Sequence, residues 1–75
     1  MVEEHMHVAL TRDLTQQGLR TGDVGVIVYV HNGGEAYEVE FMTLDGRTIG
    51  VQTLEAGQVR AIGPDEIANA RLLAG

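Results

Sequence analysis

Seventy-five residues with 11 acids, 5 bases, a formal charge of −6 and no cysteine bound this chain to one small domain without a disulfide. The bases are all arginine (Arg12, Arg20, Arg47, Arg60 and Arg71) and lie scattered, whereas the counterion displacement that drives phosphate binding needs clustered positive charge. Nucleic acid and anionic membranes are therefore not expected as partners, and the acidity suits either a basic protein partner or a solvated surface.

A chain of this length buries only about 60% of the surface its unfolded form exposes, and conformational entropy nearly cancels the gain. Association with a second copy is one route to more burial, so a homo-oligomer is expected. Absence of cysteine fits a reducing compartment. No stretch approaches the roughly 20 apolar residues of a membrane span. Met-Val-Glu-Glu-His-Met-His lacks the basic and apolar regions of a signal peptide. The expected location is the cytoplasm.

The first predicted strand covers about 5–11, with Met6, Val8 and Leu10 on one face and His5, His7 and Ala9 on the other. Thr11 to Thr21 is polar and turn-like, and Leu14 and Leu19 are expected to plug the core. The second strand covers 24–31. Val24, Val26, Val28 and Val30 would share one face, and Gly25, Ile27 and Tyr29 the other. Both faces are partly apolar, as in a strand covered on both sides or lying at a subunit contact.

His31-Asn32-Gly33-Gly34 predicts a hairpin, because Asn-Gly supplies the positive φ angles that match strand twist. The third strand, 36–42, alternates cleanly: Tyr37, Val39 and Phe41 inward, Glu38 and Glu40 outward. Leu44-Asp45-Gly46-Arg47 turns the chain into a fourth strand over 48–54, with Ile49 and Val51 expected to face together. After Glu55-Ala56-Gly57 a short fifth strand covers 58–62.

Beyond Gly63 the period changes to that of a helix over about 64–73. Pro64 suits the first helical position, Asp65 and Glu66 favour the positive end of the helix dipole, and Arg71 favours the other. Ile67, Ala70 and Leu73 or Ala74 form its apolar stripe, with Ala68 and Leu72 beside it. So short a helix must dock on its own domain or on a neighbour. The expected fold is mainly β: a small five-stranded SH3-like barrel with a short C-terminal helix. An open five-stranded sheet packed on that helix is the alternative.

Leu19-x-x-Gly22-Asp23-x-Gly25-x-Ile27-Val28, Tyr37-Glu38-Val39-Glu40-Phe41 and Asp45-Gly46-Arg47-Thr48 together resemble a family of short bacterial proteins catalogued as a domain of unknown function. The resemblance spans about residues 8 to 62. It implies an SH3-like β-barrel and no established activity. Family members resemble cargo of mobile elements, and some look like antitoxin partners of small toxins. More distantly, Gly18 to Val30 is similar to the KOW-type barrels of ribosomal and transcription proteins. Those carry basic loops around this hairpin, where the present chain offers Asp23, Asn32 and Glu35 with Arg20 as the only base.

His5-x-His7 has a spacing able to chelate a transition metal, with Glu3 as a third donor. An exposed terminus explains the pair more simply, so no metal is expected. His31 reads as a solvated turn residue. Glu38 and Glu40 could perform acid–base chemistry only if burial or a neighbour separated their pKa values. On an alternating strand they are instead the solvent face. With no Ser, Cys or Lys, the common covalent nucleophiles are missing, and Gly33-Gly34 lies between strands rather than ahead of a helix. Neither an enzyme nor a cofactor is expected.

Tyr37 and Phe41 are assigned to the core, leaving Tyr29 as the aromatic residue free to anchor a partner. The expected function is a non-enzymatic interaction module that self-associates through Ile27, Tyr29, Glu38, Glu40, Ile67 and Leu72. Its acidic stripe would meet arginines of another chain, Arg47 or Arg60 of a second copy among them. A nucleic-acid-binding KOW or SH3-like barrel is the competing reading.

Overall fold

The structure, a computed structural model, describes residues 2–73. Five antiparallel strands form one sheet: β1 (His7–Leu10), β2 (Val24–His31), β3 (Ala36–Met42), β4 (Thr48–Glu55) and β5 (Val59–Ala61). Their order across the sheet is β4-β3-β2-β1-β5. The sheet is not closed, because β4 and β5 form its two edges and do not pair with each other.

Alternation decides the interior. Tyr37, Val39 and Phe41 are buried, as their spacing requires, and join Val8, Leu10, Ile27, Leu54 and Val59 in one cluster. Leu19 is buried in the same cluster and Leu14 packs against it. The two leucines form an isolated bridge that pinches the 11–21 loop over the core. Asp13 fastens the base of that loop by accepting from the Thr21 amide at 2.8 Å and its hydroxyl at 2.9 Å. Leu54 and Val59 belong to the two edge strands yet share this core. The 3₁₀ turn Ala56–Gln58 that joins those strands is fixed by a reciprocal cap between Glu55 and Gln58.

The Asn-Gly hairpin forms as its chemistry dictates. Asn32 and Gly33 have φ of 48° and 69°, and the Gly34 amide donates to His31 O at 2.9 Å. At the Asp45-Gly46-Arg47 turn, the Arg47 amide donates to the Thr43 hydroxyl at 3.1 Å, and Thr43 also donates to Asp45.

Two bulges overturn expected faces. Ile27 pairs with Val39, but the next pair is Tyr29 with Glu38, leaving Val28 as an extra residue. A bulge re-aims the residues that follow it. Ile27 is therefore fully buried, whereas Tyr29 is 52% exposed and points to the opposite side. On β4, Thr48 pairs with Met42 and Gly50 with Phe41, so Ile49 is the extra residue. Ile49 packs against the core while Val51, expected beside it, lies opposite Glu40 and is 51% exposed.

The first strand starts at His7 rather than His5, since His5 has φ of 71° and cannot continue an extended run. The C-terminal helix does not form. Pro64 and Asp65 make one turn, and residues 66–73 continue without helical structure. The physical reason is the lack of a dock: Ile67 and Leu72 are 93% and 94% exposed, and a short helix with no buried face is not stable. Arg71 is also held at a distant point of the domain. Helical residues advance about 1.5 Å each against about 3.3 Å when extended, so coiling would shorten the reach to that point. Ala74, the other candidate for the apolar stripe, lies outside the described residues.

Candidate interaction face

The sheet side away from the core carries the chemistry that the interior does not use. Cross-strand pairs place Glu40 between Val26 of β2 and Val51 of β4. Val26 pairs in turn with His7 of β1. One step along, Glu38 lies between Tyr29 and Thr53. Val24, Val28, Tyr29, Met42 and Val51 are the large apolar residues left exposed on these strands. The face is therefore mixed: apolar side chains alternate with two carboxylates.

Glu38 is the centre of a small polar network. Its Oε2 lies 2.6 Å from His31 Nε2, and Thr53 Oγ1 donates to both its oxygens at 2.9 and 2.8 Å. The His31 contact first, and the Thr53 hydroxyl second, hold the carboxyl below its usual range. The Tyr29 and His31 rings meet edge to face with centroids 4.8 Å apart. Glu40 accepts from Thr48 Oγ1 at 2.7 Å. The Thr53 hydroxyl donates to the carboxylate and not to the imidazole, so these three residues do not follow the nucleophile–base–orienter order of acyl transfer. Among the described residues no three His, Cys, Asp or Glu side chains are grouped to hold a metal.

The C-terminal segment crosses one side of this face as a strap. Glu66 accepts from the Gly63 amide at 2.7 Å and from Arg60 Nη1 at 2.8 Å, and these contacts hold its carboxyl below the usual range. Farther on, Arg71 grips Asp23 with a fork, Nε to Oδ1 at 2.8 Å and Nη2 to Oδ2, while Nη2 also donates to Gly18 O at 3.0 Å. The Arg71 hydrogen bonds hold the Asp23 carboxyl below its usual range and raise the pKa of the guanidinium. Between the strap and the sheet is an open cavity of about 500 Å³ with a floor of His7, Ala9 and Val24.

Of the residues expected to contact a partner, Tyr29, Glu38 and Glu40 share this face. Ile27 does not, because it lies in the core and offers no surface. Ile67 and Leu72 are exposed on the strap, although not as one helical stripe. Sequence reasoning missed Val51 as a surface residue, since the bulge at Ile49 is invisible to a period-two pattern. It did not single out Val28 and Met42, although both occupy outward positions of that pattern. It also missed Asp23 with Arg71, whose 48-residue separation leaves no local signal.

The fold and this face define a small antiparallel β domain that displays a mixed apolar and acidic surface. The chain belongs to the family described as Domain of unknown function (DUF4926), whose model matches residues 4–61. The match includes all five strands and stops before the strap. No curated protein and no solved structure matches the chain.

Proposed function

We propose that the protein is a non-enzymatic interaction module that self-associates and receives protein partners on the outer face of its sheet. The observation that carries this reading is the exposure of Val24, Val28, Tyr29, Met42 and Val51 around Glu38 and Glu40. Apolar residues grouped on one face and interleaved with charge have the composition of a contact surface, although none is needed by the core.

The sheet is best read as a half-open SH3-like barrel. Support comes from the order β4-β3-β2-β1-β5, the 3₁₀ turn between the edge strands, and the shared burial of Leu54 and Val59. The two bulges supply the bending such a barrel needs. The carboxylates favour a basic partner chain, and an antitoxin-like role in a mobile element is the special case in which that chain is a small toxin. A cytoplasmic setting fits these roles. No helix is long and apolar enough to cross a membrane among the described residues.

Sedimentation equilibrium over a micromolar to millimolar series tests self-association, with a mass that rises with concentration as the expected result. A strict monomer throughout would remove it. Tyr29→Ala should weaken capture of a basic partner without changing the melting temperature by more than a few degrees, because an exposed side chain contributes little to the core.

A further inference from the structure

The two edges of the sheet are guarded differently. β5 is three residues long, contains Arg60, and has the strap anchored beside it through the Arg60–Glu66 ion pair. β4 is eight residues long, Thr48 to Glu55, and among the described residues borders no strand on its far side. From Thr48 to Leu54 it holds no charged residue and no proline. Edge strands are ordinarily blunted by shortness, charge, proline or a covering segment, because their free N–H and C=O groups template pairing. Of these devices β4 has only the bulge at Ile49.

Charge chooses the occupant. Arg47 precedes β4 and Glu55 ends it, and Val51 is the residue midway between them. Among the described residues, Arg47 forms no ion pair. An antiparallel copy centred on Val51 brings each Glu55 to the Arg47 end of the other chain, so both ends of the contact match under one two-fold axis. At that axis the half-exposed Val51 meets its own equivalent, an apolar pair on the outer face. A two-fold contact of this kind requires a self-complementary surface, and this strand has one.

We infer that the partner on the β4 edge is a second copy of this chain, joined β4 to β4 in antiparallel sense about Val51 to give a continuous ten-stranded sheet. This rests on the self-association proposed above and specifies its interface. Glu40, flanked by Val51, then lies near the new junction, and the outer face of one copy runs on into that of the other.

The absence of native cysteine makes a single introduced thiol a clean reporter. Paired residues at an antiparallel axis have Cα atoms about 4.5–5.5 Å apart, within disulfide reach. Val51→Cys should cross-link into a dimer under mild oxidation, whereas Gln16→Cys on the far loop should not. Arg47→Glu and Glu55→Arg should each weaken the homodimer by about tenfold, since attraction becomes repulsion at both ends. Mixing the two variants should restore pairing as a heterodimer, because every end then opposes unlike charges. Melting curves of each variant establish that it is folded. A dimer in sedimentation that neither cross-links through position 51 nor shows recovery on mixing would overturn the β4 interface and leave self-association standing. A monomer at every concentration would overturn both.

Discussion

Gly25 shows how one missing side chain sets the fold. A Cβ at that position would sit 2.6 Å from Val39 Cγ1 and 2.9 Å from Glu40 O, a backbone atom that cannot move aside. Gly25 lets β2 lie close against the core side of β3. Gly25→Ala should lower unfolding free energy in urea by about 1–3 kcal/mol through overpacking. Gly50→Ala is the matched control, because its Cβ would meet only the flexible Gln52 amide at 3.4 Å; it should cost much less. The motif around Gly25 is thus explained by architecture. Leu19 fills the core, Gly22 takes a φ of 91°, and Asp23 accepts from the Arg20 amide at 2.8 Å while holding Arg71.

Among the elements, β2 and the strap carry the main departures from simple pattern. The bulge at Val28 separates Ile27 from Tyr29, which alternation would place on one face. Ile27→Ala should cost about 2–5 kcal/mol by opening a cavity, and Tyr29→Ala only a few tenths of a kcal/mol. Equal losses in chemical denaturation would mean that the strand carries no bulge. The strap is held mainly by its polar anchors, as the exposure of Ile67 and Leu72 implies. Arg71→Ala should raise hydrogen exchange and proteolysis within residues 64–73 and leave amides of β2 and β3 protected. Loss of protection throughout the sheet would make the strap part of the cooperative core.

At the scale of the molecule, acid stability follows from the carboxylates. Asp13, Asp23, Glu38, Asp45 and Glu66 all have pKa values lowered in the folded state, chiefly by hydrogen bonds. Unfolded Asp and Glu titrate near about 3.9 and 4.3. A depressed folded pKa therefore contributes stability that is present above those values and lost as pH falls through the folded ones. Melting temperature should be flat from neutrality to about pH 5 and fall below about pH 4. Asp23→Asn should flatten part of that acid decline, and an unchanged acid profile would show that the Arg71 contact is not formed in solution. The net charge of −6 acts at the same scale. Fluorescence anisotropy with oligonucleotides at low ionic strength, where attraction is strongest, should show no binding.

The sequence by itself determined the strand content, the inward set Tyr37, Val39 and Phe41, the Asn-Gly hairpin, the leucine plugs and the family. The strands, the inward set and the hairpin depend on local rules, a side-chain period of two or a backbone angle that few residues adopt. The plugs are apolar residues in a polar segment, and the family rests on the resemblance of its motifs. Tertiary structure alone decided the rest. A bulge adds one residue without altering composition, so only the partner strand reveals that Ile27 is inside and Val51 outside. The tail carries every local mark of a helix and stays non-helical, because a short helix is stabilised by the surface it buries and this one has none. The pairing of Asp23 with Arg71 likewise arises only when the chain brings distant segments together.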